Sequence, residues 1–319
     1  QDPAGGSVRA GKESRTSMSA PLALAQTIHI EKKRAEWQVI HALADKAEPR
    51  IRAAILKAVK DLKGSVNMSA VRRALAEGDT AGAFSLIPWD KLDEMKAPVT
   101  VELRTLMEAS YIAAIKYMPK EASALRFDVT NQRAVDWLRE NSARLVVEVG
   151  EGTKQTIRDI IDRAFNEGIP PIKAARIIKE HIGLTSRQSQ AVENYRKMLT
   201  SERRKIEQIE RMTARYANRQ LNYRTRNIAR TESINSSSAG QQLLWEDALN
   251  SGELLDERSR TIWIVTRDDR LCPKCKPIPG MNPNGVRIRE YFQTPVGPIL
   301  HPTVHPQCRC SVALKIIRK

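Results

Sequence analysis

The chain has 319 residues, 41% hydrophobic and 28% charged, enough apolar material for about two domains with real cores, which excludes wholesale disorder. Lys plus Arg number 53 against 37 Asp plus Glu, a formal net charge of +16 that favours phosphate backbones or acidic protein surfaces as partners. Aromatic residues are only 5%, against a single-strand binder that stacks bases on rings, and no apolar run approaches the ~20 residues of a membrane helix.

Residues 1–21 are rich in Gly, Ser, Ala and basic residues and predict a flexible tail. No signal-peptide core is visible in the first thirty residues, so synthesis and folding in a cytosol are expected. From Leu22 to Gly64 the apolar spacing is helical, with Trp37, Ile40, Leu43 and Ala44 on one face and Ile51, Ile55, Ala58 and Leu62 on another. Pro49 between them predicts two consecutive helices. Short helices are expected over 69–77 and 101–117, with an apolar loop at 78–88 fit to pack or to touch a partner.

Beyond Phe127 one helix carries Val135, Leu138, Leu145 and Val149, and Thr153 is placed to cap the next, which carries Ile157, Ile160 and Ile161. Gly168, Pro170 and Pro171 break the chain; a further helix bears Ala174, Ile177, Ile178 and His181 and stops at Gly183. Residues 186–249 read as long, highly charged helix with few apolar positions. After Gly252 the pattern changes: TIWIVT at 261–266 and SVALKII at 311–317 read as strands flanking a Pro- and Gly-containing region.

All four cysteines lie in that last part: Cys272 and Cys275 as C-P-K-C, Cys308 and Cys310 in H-P-Q-C-R-C, with His305 three residues ahead. Thiols and an imidazole at these spacings are what a tetrahedral zinc site requires, since zinc takes four soft or borderline donors. The loop between the pairs is longer than in a compact finger. The thiols of the C-x-C pair are expected to diverge, so Cys272, Cys275, His305 and one of Cys308 or Cys310 stand beside a four-cysteine set. His301 is a weaker candidate than His305. A disulfide and plain buried thiols are the rival readings. A catalytic metal would need an open position and a general base, and Asp268 and Asp269 read more simply as a turn after a strand.

The blocks I-A-R-T-E (228–232), W-I-V-T-R-D-D-R-L-C-P-K-C (263–275) and H-P-Q-C-R-C (305–310), with Gly240, Trp245 and Gly280 between them, resemble the tailed-phage head-morphogenesis or minor head protein family. So do F-D-V-T-N-Q-R-A-V-D-W-L from Phe127, the helix from Thr153 to Ile161, E-G-I at 167–169 and H-I-G-L-T-S-R-Q around His181. The resemblance covers 127 to the C-terminus; residues 1–120 match no family. It implies a low-copy component inside the phage capsid, made in the host cytoplasm. Such a component associates with the portal and affects head assembly, genome packaging or ejection, with the major capsid or scaffolding protein as further partners. It assigns no catalytic residues. The helical stretch from 187 to 226 is longer and more basic than the family minimum.

Residues 201–230 hold nine Lys or Arg against Glu202, Glu207 and Glu210, and no acid lies between Arg211 and Arg230. Local i,i+4 pairing cannot account for that run. Arg211, Arg215, Arg219, Arg224, Arg226 and Arg230 are therefore the expected contacts to double-stranded DNA or an acidic portal surface. The five tryptophans are expected in cores, and His29, His41 and His181 are lone imidazoles.

The fold expected is mainly α, an extended helical body with a small C-terminal β-containing, zinc-stapled domain. Its segments are 1–21 (tail), 22–126 (N-terminal helical region), 127–252 (helical core with basic arm) and 253–319 (Cys/His domain). The function expected is structural and not enzymatic, that of a phage minor head protein. The alternatives are a metal-dependent nucleic-acid-processing enzyme using Asp268 and Asp269, and a zinc-dependent DNA-binding regulator, which would need a recognition helix beside the metal.

Overall fold

The computed structural model describes residues 20–119, 124–128, 130–266 and 271–317, with the side chains of the first helix from Glu36 onward. Most of the expected tail, the side chain of His29, and Asp268 and Asp269 lie outside the described residues.

Helix α1 (Ala20–Ser65) runs unbroken through Pro49, where two helices were expected. Proline removes one N–H and so one intrahelical hydrogen bond. The apolar stripe keeps its phase across it: Ala44 and Ala47 before, Ile51 and Ile55 after, are all buried. Packing along that stripe against later helices outweighs the missing bond.

Asn67 caps α2 (Met68–Ala76) and Asp79 caps α3 (Thr80–Ser85), each side chain accepting from a backbone N–H three residues on. The predicted loop at 78–88 thus contains a helix. Its Phe84 lies 5.0 Å from the Trp89 ring and under the Arg158 guanidinium, and Ala83 and Ile87 are buried, so most of the apolar residues of this segment pack inward. A 3₁₀ turn (Trp89–Met95) leads into α4 (Lys96–Ile115).

Helix α5 (Gln132–Asn166) is also continuous, and Thr153 does not cap it. Thr153 is buried in mid-helix, its hydroxyl donating to the Val149 carbonyl, a bond that lets threonine sit in a helix interior. Helix α6 (Pro171–His181) is the expected helix bearing Ala174, Ile177, Ile178 and His181, and Pro171, read as part of the break, is its first residue. The single long helix expected over 186–249 is two: α7 (Ser186–Ser201), opened by a Thr185–Gln188 capping box, and α8 (Ile206–Asn250). Arg203, at φ 53°, turns the chain between them.

Helix α8 is the central element. Its second half is buried on nearly every side, from Glu232 to Trp245, although its sequence (S-I-N-S-S-S-A-G-Q-Q) reads as polar. Small residues let α4 approach so closely that a Cβ on Gly240 would stand 2.3 Å from the Met107 carbonyl oxygen. Three of the polar side chains find partners inside: Ser236 donates to the Leu103 carbonyl, Gln241 to Glu36, and Gln242 to the Ile288 carbonyl. Arg133, at the start of α5, forks onto Glu246 and Asp247 of α8, and the buried Tyr111 hydroxyl also donates to Asp247.

Strands β1 (Ser259–Ile264) and β2 (Ser311–Ile316) pair antiparallel, Ser259 opposite Ile316 and Ile264 opposite Ser311. Buried apolar residues from Ala47 to Val312 form one core, so the expected boundaries at 126 and 252 fall between elements that share it. The architecture is mainly helical with a small C-terminal sheet, as expected. Among the described residues no helix is long and apolar enough to cross a membrane.

Candidate metal centre and basic helix face

The register of β1 and β2 builds the metal cluster. Because Ile264 faces Ser311, the chain leaving β1 toward Cys272 and the chain entering β2 from Cys310 emerge at the same end of the sheet. The Thr266 hydroxyl, donating to the Arg309 carbonyl, extends the pairing past the last strand residues. A tight turn then stacks the Cys275 N–H over Cys272, donating both to its carbonyl and to its sulfur at 3.3 Å.

His305 Nε2 lies 3.0 Å from Cys272 Sγ and 3.1 Å from Cys275 Sγ. Its Nδ1–H donates to the Pro306 carbonyl, which leaves the Nε2 lone pair facing the two sulfurs. A backbone carbonyl on the far nitrogen is the usual way a ligating imidazole is fixed in tautomer and orientation. Cys275 Sγ is 3.9 Å from Cys308 Sγ, and Cys275, Cys308 and Cys310 form a second close group within 4.8 Å. Cys275, Cys308 and Cys310 are buried, and Cys272 is half-buried.

The expectation that Cys308 and Cys310 diverge is corrected: both thiols reach Cys275, because residues two apart on an extended chain share a face. Burial pushes the Cys275 thiol up. The Cys310 S–H bonded to Cys308 holds Cys308 down, to about 5, and raises Cys310 itself. No cysteine is in a disulfide. Five soft or borderline donors thus form two overlapping triads that share Cys275, and the cluster could hold a metal ion. His301 is not among them; its ring nitrogen bonds the Pro302 carbonyl.

The six candidate arginines of α8 divide. Arg211, Arg215, Arg219 and Arg226 are exposed, and none of them forms an ion pair among the described residues. At 100° per residue they fall within roughly 80° of one another and span about 22 Å of helix. Arg219 leans over the Tyr216 ring.

Arg230 is corrected: it pairs with Asp45 at 3.0 Å and Glu48 at 3.4 Å, so its charge is taken up in holding α8 to α1. Arg224 is corrected more completely. It is 8% exposed, donating to the Gly183 and Glu148 carbonyls, with burial weakening its hold on the proton. Gly152 makes room for it, since a Cβ there would stand 2.9 Å from its guanidinium.

Sequence reasoning missed a cleft of about 850 Å³ enclosed by α5, α7, α8 and the loop that carries His305. Arg144, Arg187 and Arg224 line it, one from each helix, together with Glu148 and Glu232. Glu232, in the I-A-R-T-E block, is buried at its base and accepts from Arg144 at 3.2 Å; burial raises its pKa. The mid-helix glycine at 152 was the one available signal, and its partner lies 72 positions away. The His305 loop is fastened to α8 beside this cleft: the Gln307 backbone N–H donates to the Thr231 hydroxyl at 3.1 Å, and its side chain to Asn227.

Neither the protein-family models, the curated proteins nor the solved structures yield a match to this chain.

Proposed function

We propose that this chain is a structural, DNA-contacting protein of the phage head-morphogenesis kind, a minor head protein that sits inside the capsid near the portal, stapled by zinc at its C-terminal end. The observation that carries the DNA contact is the stripe Arg211, Arg215, Arg219 and Arg226, four exposed guanidiniums in line on one continuous helix, without acidic partners among the described residues. A row of that length matches a duplex backbone, where affinity comes from phosphate neutralisation and needs no base-stacking ring. The order of the sequence blocks supports the head-protein assignment and, with it, portal, major capsid or scaffolding protein as partners.

Zinc suits the donor set. Cys272, Cys275, His305 and Cys308 would hold it: the 3.9 Å separation of Cys275 and Cys308 is close to the about 3.8 Å edge of a tetrahedron with 2.3 Å zinc–sulfur bonds. Cys310 remains as an S–H donor to Cys308. The metal would fasten a segment whose sheet has two short strands, its binding free energy acting as folding free energy.

The test is duplex binding measured against salt. Neutralising four phosphates should weaken affinity on the order of 100-fold between about 50 and about 200 mM salt, and replacing all four arginines by glutamine should flatten the dependence. A salt-insensitive affinity, or an unchanged slope in the variant, overturns the DNA contact. Co-purification with portal or head particles tests the virion assignment, and abundance in host cytosol with no particle association overturns it.

A further inference from the structure

The cleft between α5, α7 and α8 has a built floor that neither the stripe nor the metal explains. Arg224 is a guanidinium with 8% exposure whose bonds run only to backbone carbonyls, and no carboxylate pairs with it among the described residues. It is seated against Gly152, and glycine in a helix interior costs about 1 kcal/mol relative to alanine. Arg187, on the first turn of α7, is exposed and forms no ion pair among the described residues. Arg144 closes the third side, between Glu148 at 3.8 Å and Glu232 at 3.2 Å. Two cations thus face one cavity from different helices with no direct ion pair among the described residues: of the two acids in the lining, Glu148 and Glu232, both lie against Arg144, and Glu148 reaches Arg224 only through its longer-range field. Of the α8 residues that line it, Gln220, Asn227 and Thr231 lie over roughly 100° round the helix from the centre of the outer stripe, and Tyr223 stands at the rim between the two faces.

The geometry points to a second anionic site in this cleft, one that takes the phosphate of a nucleotide-sized ligand between Arg187 and Arg224. The volume of about 850 Å³ is that of a small-molecule pocket. Arginine's planar fork presents several donors to phosphate oxygens, which suits it to such a ligand. Tyr223 at the rim, 57% exposed, offers a ring face for a base. The phosphate could belong to a free nucleotide or to the 5′ end of a DNA strand, and the chemistry at the arginines is the same.

Calorimetric titration of the full chain at fixed ionic strength tests this, with sodium pyrophosphate, ATP and 5′-phosphorylated or unphosphorylated oligonucleotide duplexes as probes. Pyrophosphate and ATP should each saturate one site. Arg187→Ala, at an exposed position, should weaken both by about tenfold or more, a loss of about 1.4 kcal/mol. Gly152→Ala, whose methyl would displace the Arg224 guanidinium, should also weaken both; circular dichroism checks that each variant is folded. ATP binding much tighter than pyrophosphate marks a free nucleotide. Displacement of ATP by the 5′-phosphorylated duplex, and not by the unphosphorylated one, marks a strand end. Replacing the four stripe arginines should leave pyrophosphate affinity unchanged while duplex affinity falls, so failure of this site and failure of the DNA contact read out separately. No saturable binding of pyrophosphate or ATP, or wild-type affinity in both Arg187→Ala and Gly152→Ala, overturns the site.

Discussion

At the scale of single residues, chemistry depends on which partner each group has found. Cys275 is the thiol common to both close groups, 3.1 Å from His305 and 3.9 Å from Cys308, so Cys275→Ser is expected to abolish metal retention. Cys310→Ser is expected to keep about one equivalent, since its sulfur is the fifth donor around a four-coordinate ion. Metal analysis of purified variants checks both, and loss in Cys310→Ser with retention in Cys308→Ser would exchange their roles. His181 makes a prediction about acid. It is fully buried, its Nδ1 2.7 Å from the Ser189 hydroxyl and its Nε2 3.5 Å from Glu193, with Arg196, Arg163 and Lys63 around it. Burial first, then those cations, lower its pKa from 6.5 to about 3. The unfolded chain therefore binds more protons between these values. The stabilising contribution is full above about pH 6.5 and falls as pH drops, by up to about 1.4 kcal/mol per unit. Glu180 nearby, raised by burial, acts in the opposite sense at lower pH. Chemical denaturation at pH 7 and pH 5 should show a smaller acid loss in His181→Gln than in the parent chain; equal losses would remove His181 as the source.

At the scale of elements, helices that the sequence punctuates are continuous where their apolar stripes stay in phase. Pro49 leaves the Asp45 carbonyl without its intrahelical donor, so Pro49→Ala should stabilise the chain by about 1–2 kcal/mol after allowing for the freer unfolded state. A higher urea midpoint with unchanged slope is the expected result. Gly240→Ala should do the reverse. Its methyl meets the Met107 backbone, which cannot rotate away, and overpacking of this kind costs about 1–3 kcal/mol. Strands β1 and β2 were legible to within two residues because β-branched runs between turn residues have few other solutions, and the Cys/His spacing was legible because ligand chemistry is local. The middle of α8 was not legible. A Ser- and Gln-rich run reads as surface, and only the backbones of α1 and α4 pressed against it make it core. Arg224 was misread for the same reason: a sequence records charge, while the seat for that charge is a glycine on another helix.

At the scale of the whole molecule, the Cys/His cluster and the cleft share one loop. His305 and Pro306 form part of the cleft wall while His305 Nε2 faces the thiols, and Gln307 ties the same loop to Asn227 and Thr231 of α8. Strand β2, which begins one residue past Cys310, also touches α1 and α8, so the loop lies between two anchors. With an ion in the cluster, its removal would take away a constraint that joins the Cys272–Cys275 turn to this loop. Chelation should then raise backbone hydrogen exchange in 301–310 and at 227–232, where the loop docks. It should leave 51–62 of α1 protected, because Ile51, Ile55 and Leu62 are fully buried against helices that the metal does not touch. Mass-resolved exchange with and without chelator reads this directly. Protection lost evenly along the chain would mean that the metal holds the global fold, and no change at 227–232 would mean that the Gln307 bonds fix the wall unaided. Between those outcomes lies the one expected, a local opening that weakens the proposed phosphate site in the cleft on metal removal and leaves the proposed duplex contact of the arginine stripe, on the other side of α8, unchanged.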